Sequence, residues 1–339
     1  MARSSNRGVL AALLQVLDRP GPLLILPHDN PDPDAMASAV TLKYLVASLI
    51  GKPSHIVLGG IVGRAENRAM RTYLNIDLVP VCEVALDGDA QVALVDTQPR
   101  RPNNSLPDHV TPLAVIDHHP PYAEYPGVPF LDLRDNYGAT STILTEYLRE
   151  SKLDIDPKIA TALFYGINAE TQDLGREATP ADIEASHFLY PYTNKRRLAK
   201  IENARVPREY FRVFREAIDR AVLYDGVVIS MLGDVQYPDM VAEVADFLLR
   251  LDRVSWAAAI GTYEHSLHCS IRTTERDANA GEILQRVLGS KSAGGHDQIA
   301  GGRIPVGSEP EARQRAARVV RDRLLEQLGV HEADSRPLV

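Results

Sequence analysis

Three short apolar runs near the start of the chain each stop on ionisable side chains: LLILPH at 23–28, VALVD at 92–96 and AVIDHH at 114–119. A strand with no polar alternation is buried on both faces, and such strands belong to parallel sheets whose connections are crossover helices. The intervening sequence supplies those crossovers. DAMASAVTLKYLVASLIG has helical apolar spacing and a stop at Gly51 and Pro53, PSHIVLGG reads as another strand, and RAENRAMRTYLNI, TSTILTEYLRES and PKIATALFYGIN read as helices. The pattern predicts an α/β fold with a mainly parallel N-terminal sheet.

A carboxylate at the end of an apolar strand is costly unless it is paired or bound to a cation. Ligands of open α/β sheets bind beyond the carboxyl ends of the strands, where three such ends can converge. The first end is the richest, since PHDNPDPD places His28, Asp32 and Asp34 within seven positions. Asp32 alone would read as a turn former and Asp34 alone as a helix cap. Together with Asp96, Asp117, His118 and His119 they form a carboxylate and imidazole set without thiolate, which suits Mn²⁺ or Mg²⁺ and the two-metal hydrolysis of phosphoesters.

Composition narrows the setting. The 339 residues carry a formal net charge of −8, which argues against coating long nucleic acid. Cys82 and Cys269 are the only cysteines, so a reducing cytoplasm is expected. The opening MARSSNRGVLAALLQVL is expected to be an amphipathic helix rather than a leader, because Gln15 interrupts it and DRPGP follows. No segment approaches the roughly 18 apolar residues of a membrane span. From Pro180 to Leu223 the chain reads as charged and helical; a second alternating unit then follows, with VVISML, SWAAAIGTY and SLHCSIRT as strands and MVAEVADFLLRLDRV as a helix. Glycines flanking His296 suit either a ligand-approaching loop or a plain hairpin turn, and Arg272 suits either a phosphate clamp or a strand edge. His55, His109, His187, His265, His268, the KRR at 195–197, Trp256 and the tyrosines are left as structural.

H-x-x-x-D-x-D at 28–34, Asp96 and Asp117-His118-His119 resemble, in order, the first three motifs of the DHH phosphoesterase superfamily. AGGHDQIAGG at 293–302 and SIRT around Arg272 resemble its DHH-associated C-terminal domain. The resemblance implies a metal-binding catalytic domain at 1–190, its sheet flanked by helices, a helical connector at 191–225, and a smaller C-terminal α/β domain at 226–339, with the active site in the cleft between domains. It implies two Mn²⁺ per chain, with Mg²⁺ as the alternative. His28, Asp32 and Asp96 would hold one; Asp34, Asp96, His118 and a fourth-motif carboxylate would hold the other. Relatives usually have aspartate in that fourth motif, where GINAETQDLG offers Glu170, with Asp173 as its rival. His119 would sit at the scissile phosphate, Asp117 would orient the neighbouring histidine, and Arg272, Gly294, Gly295 and His296 would bind substrate.

The activity so implied is hydrolysis of phosphoester bonds in small nucleotides, either short oligoribonucleotides or 3'-phosphoadenosine-5'-phosphate, by two-metal activation of water. A cyclic dinucleotide phosphodiesterase and a RecJ-like exonuclease compete within the enzyme class, while the GGH motif disfavours an inorganic pyrophosphatase. The non-enzyme alternative, suggested by Glu170, is a nucleotide sensor with weakened catalysis. The implied partner is a small nucleotide or short oligonucleotide, with neither a membrane nor a long duplex, and a homodimer is the assembly suggested.

Overall fold

LLIL, VALV and AVID become neighbouring strands of one parallel sheet. The computed structural model describes residues 8–339 apart from 88, 121–123, 176–177, 296, 332 and 334. The chain divides into two units, Met1–Ala204 and Arg205–Val339. The helices of the stretch 191–225, expected as a connector, fall on either side of that division.

The first unit begins with α1 (Val9–Leu17), β1 (Leu23–Leu26), α2 (Pro33–Ile50), β2 (Ser54–Leu58), α3 (Ala65–Leu74) and β3 (Leu78–Pro80). The strands β4 (Val92–Val95), β5 (Ala114–Asp117) and β6 (Phe130–Leu133) come next, then α4 (Thr140–Ser151), α5 (Pro157–Glu170), α6 (Pro180–Leu189) and α7 (Lys195–Glu202). All six strands are parallel, in the order β3-β2-β1-β4-β5-β6. The chain thus winds outward from β1 in one direction and returns on β1's other side with β4. This reversal is the topological switch point, where open α/β sheets keep their ligands.

Each central strand is buried along its length, and successive side chains go to opposite faces. Leu23, Ile25, Ala93, Val95, Ala114 and Ile116 join the helices in one core. Leu24, Leu26, Val92, Leu94 and Val115 join a second core completed by Leu106 and Val110, to which none of these helices contributes. The helices therefore cover one face of the sheet, and connecting segments cover the other. Burying a leucine, isoleucine or valine contributes about 1.5–3 kcal/mol, so the strands are fixed from both sides while their carboxyl ends stay clear. Gly51 closes α2 with φ 62, as the sequence predicts.

The second unit contains α8 (Arg208–Asp219), β7 (Ala221–Tyr224), β8 (Val227–Asp234), α9 (Asp239–Leu248), β9 (Trp256–Tyr263), β10 (Ser266–Thr273) and α10 (Ala280–Leu288). It ends with β11 (Ala293–Gly295), β12 (Ile299–Pro305), α11 (Pro310–Leu328) and β13 (Ser335–Pro337). These strands form one sheet in the order β11-β12-β10-β9-β8-β7-β13, antiparallel except for β8 beside β9. The sequence reading missed β7, which extends the helical stretch into the second sheet. Among the described residues, no helix is long and apolar enough to cross a membrane.

Candidate metal centre

Because β1, β4 and β5 are adjacent, His28, Asp96 and Asp117 emerge side by side at the switch point. His28 is oriented by its Nδ1, 2.9 Å from the Asp29 carbonyl, so its Nε2 is aimed at Asp32 Oδ2 (3.5 Å) and Asp96 Oδ2 (3.6 Å). Asp32 is the N-cap of α2, its Oδ1 accepting from the Ala35 amide at 3.0 Å while Oδ2 faces His28. The cap is therefore Asp32, not Asp34 as single-residue reasoning suggested. Asp34 lies in the first turn of the same helix and is buried, its two oxygens accepting from the amides of Thr140 (2.8 Å) and Ser141 (2.7 Å) at the start of α4. Those amides are among the donors that a helix start leaves without intrahelical partners.

Asp96 is the hub. Its Oδ2 faces His28, and its Oδ1 faces His118 Nε2 (3.7 Å), His119 Nδ1 (3.6 Å) and the Thr140 hydroxyl, which donates to it at 2.8 Å. The backbone of Asp96 is left-handed, with φ 60. That conformation is uncommon outside glycine and is tolerated best by Asn and Asp. His118 has Nδ1 3.1 Å from the Tyr137 carbonyl, and its Nε2 lies 3.9 Å from Asp34 Oδ2.

The spacing leaves room for a shared cation. The histidine-to-aspartate separations across the centre, 3.5–3.9 Å, are longer than hydrogen bonds. They are shorter than about 4.2 Å, twice the ligand distance of roughly 2.1 Å around a small divalent cation. Among the described residues, His28–Asp32–Asp96 and Asp96–His118–His119 each bring three ligand atoms within 4.8 Å of one another, and they share Asp96. The donor set, imidazole nitrogens and carboxylate oxygens, fits Mn²⁺ or Mg²⁺.

Electrostatics agrees with the geometry. Burial, followed by repulsion from Asp96, pushes the Asp34 carboxyl up to about 7. Burial raises Asp96 to about 6, with Asp32 and Asp117 adding to the shift against His119 and His28. Burial resists charging His28 and His119, but neighbouring carboxylates outweigh it and raise both to about 10. Burial also opposes ionisation of Asp32, yet His28 holds it well below the usual carboxylate range. Acids crowd acids here and the two imidazoles offset them; a divalent cation held by the same groups would supply positive charge at the same place.

Glu170, at the end of α5, belongs to this cluster: burial and the charges of Asp32, Asp34 and Asp96 raise it to about 8. Residues 172–174 then take three consecutive left-handed conformations, and Asp173 is exposed, near Tyr165 and Glu202. Asp117 is buried, and its Oδ1 holds His119 Nδ1 at 2.9 Å; burial opposes its charge, but His119 and then Gln98 keep it low.

In the second unit, Gly294 and Gly295 lie on β11, hairpinned against β12, and His296 is outside the described residues. Gly295 has φ 155, and a Cβ there would stand 2.2 Å from the Ile299 carbonyl oxygen, so only glycine fits. Arg272 is buried, its guanidinium engaged with Asp246, the Ser270 hydroxyl and the Ile271 carbonyl. Sequence reasoning missed Thr140, Ser141, Tyr137 and Gln98, which carry no motif: the first three act through backbone groups, and Gln98 reaches Asp117 only once β4 and β5 are adjacent.

A parallel α/β sheet with carboxylates and imidazoles gathered at its switch point defines the class. Residues 22–167 match the N-terminal domain of the DHH family and residues 225–323 match the DHHA1 domain. The chain belongs to the DHH phosphoesterase superfamily, with a DHHA1 domain after its DHH domain. An uncharacterized protein of Methanocaldococcus jannaschii is 37% identical over 330 residues, 94% of this chain and 66% of that one. A probable manganese-dependent inorganic pyrophosphatase of Enterococcus faecalis is 31% identical over 168 residues, 49% of this chain and 54% of that one. The chain thus spans about two thirds of the first relative and about half of the second. The crystal structure of an exopolyphosphatase-related protein from Bacteroides fragilis has the same fold at 13% identity, with a TM-score of 0.74, covering 97% of this chain and 100% of that one.

Proposed function

We propose that the protein is a Mn²⁺-dependent hydrolase of phosphoester bonds in small nucleotides, short oligoribonucleotides or 3'-phosphoadenosine-5'-phosphate. The observation that supports this reading is Asp96, whose two oxygens face His28 and His118 from the switch point. His28, Asp32 and Asp96 would hold one cation, and Asp34, Asp96, His118 and Glu170 the second. Bound cations polarise the phosphoryl oxygens and lower the pKa of water.

The chain's own groups do the rest. Thr140 and the start of α4 orient Asp96 and Asp34, and Tyr137 orients His118. Asp117 fixes the Nδ1–H of His119, leaving Nε2 for the substrate. Water adds to phosphorus as the bond to the leaving oxygen breaks; the His119 Nε2–H supplies the proton that this oxygen takes up, and the proton lost by the water returns through solvent to recharge the imidazole. Arg272, Gly294, Gly295 and His296 remain the proposed substrate-binding residues of the second unit. The free thiols Cys82 and Cys269 suit a cytoplasmic setting, and a homodimer is the proposed assembly.

The test is a time course with Mn²⁺ and 5'-phosphorylated diadenylate, with 3'-phosphoadenosine-5'-phosphate, cyclic di-AMP and pyrophosphate run in parallel. AMP release from either of the first two supports the proposal. Hydrolysis of pyrophosphate or cyclic di-AMP alone overturns the substrate class, and no hydrolysis by the Mn²⁺-loaded protein overturns the activity.

A further inference from the structure

Gln98 is fully buried two residues after Asp96, in a segment to which no motif assigns a role. Its amide has polar partners at both ends. Nε2 lies 2.6 Å from Asp117 Oδ2 and 2.6 Å from the His119 carbonyl oxygen, and Oε1 lies 2.8 Å from the Tyr125 hydroxyl. The orientation of the amide follows from chemistry. A carboxylate and a carbonyl only accept, so the NH₂ must face them; the carbonyl end is then left for the one neighbour that can donate, the tyrosine. Asp117 thereby accepts from two directions, His119 on Oδ1 and Gln98 on Oδ2.

We infer that Gln98 and Tyr125 are positioning residues for His119, forming a relay from Tyr125 through Gln98 to Asp117 and the imidazole. Gln98 holds His119 twice, by its backbone carbonyl and through the carboxylate that grips its ring. The backbone carbonyl of Gln98 in turn accepts from Asn104 Nδ2 at 2.8 Å, which ties the relay to the loop after β4. Tyr125 is partly exposed, and its ring walls a surface pocket with Arg100, Leu106, Pro107 and Val128. The outer end of the relay is therefore reachable from outside the metal centre. Removing the tyrosine hydroxyl frees the amide to rotate, loosening the second hydrogen bond to Asp117 and with it the aim of His119.

The inference rests on the proposed hydrolase reading for its kinetic consequence, but not for its structural one. Two variants test it: Tyr125→Phe, which deletes one partly exposed oxygen, and Gln98→Met, which keeps the volume and removes both polar ends. The first readout is the exchange-protected Nδ1–H proton resonance of His119 in the metal-free protein, identified by its loss in His119→Asn. The second is kcat and KM for the diadenylate, compared with an activated nitrophenyl phosphodiester, with Mn²⁺ content measured in parallel.

The expected result is an Nδ1–H signal that broadens or vanishes in both variants. It should be accompanied by a loss of about 10–100-fold in kcat on the diadenylate, the usual cost of disturbing a supporting partner, with a smaller loss on the nitrophenyl ester, whose leaving group needs no proton. KM and Mn²⁺ content should hold. An unchanged Nδ1–H signal in Tyr125→Phe, or equal kcat losses on both esters, overturns the relay. If the unmodified protein turns over neither ester, the hydrolase reading fails separately, and the resonance alone decides the relay. Should Gln98→Met fail to fold, Tyr125→Phe gives the same decision.

Discussion

Asp96 is constrained in its side chain and in its backbone: one oxygen faces His28 and the other His118, and the backbone is left-handed at φ 60. Asp96→Asn keeps the tolerated conformation and removes the charge. Turnover should fall by more than the roughly 100-fold typical of supporting residues. Relieved of like-charge repulsion with Asp34 and Asp32, the metal-free variant should melt no lower than the metal-free parent, and Mn²⁺ should no longer raise its Tm, as calorimetry can check. Away from the centre, His268 on β10 is pushed down to about 4 by burial and by Arg303 on β12, with the Tyr263 ring of β9 nearby. Between its ordinary value of 6.5 and about 4, the unfolded chain binds a proton that the folded chain does not, so stability falls as pH drops through that window. His268→Gln should flatten this part of the denaturation profile; an unchanged slope would remove His268 as its source.

At the scale of elements, the centre depends on how closely α2, α4 and α5 pack. Gly166 of α5 sits where a Cβ would come within 2.5 Å of Ser141 Oγ and 3.2 Å of the Pro33 carbonyl oxygen. Gly166→Ala should destabilise by about 1–3 kcal/mol in urea denaturation and weaken Mn²⁺ binding, since α4's first amides hold Asp34. A neutral substitution there would contradict this dependence. The strands that bear ligands were legible because parallel strands read as unbroken apolar runs, and α2 because its stop is a glycine. β3, β11 and β13, three residues each, lack any pattern long enough to detect. The clustering of His28, Asp32, Asp34, Asp96, Asp117, His118 and His119 was legible because costly groups end apolar runs; Thr140, Ser141 and Gln98 were not, because ordinary polar side chains and backbone amides acquire their roles only when distant segments meet.

For the whole molecule, binding to the folded state alone raises stability, by about 2.7 kcal/mol at a hundredfold excess over Kd. Hydrogen exchange should show Mn²⁺ protecting 28–36, 94–98, 116–119 and the start of α4 in the first unit, while the β8–β10 strands of the second stay unchanged; protection confined to the second unit would contradict the site. The most direct measurement is an anomalous difference map at the manganese edge from crystals grown with Mn²⁺. Two peaks about 3.5–4 Å apart are expected, one against His28 and Asp32, the other against Asp34 and His118, with Asp96 touching both. A single peak without Asp96 as a ligand, or no peak at the ends of β1, β4 and β5, would contradict the shared-carboxylate centre.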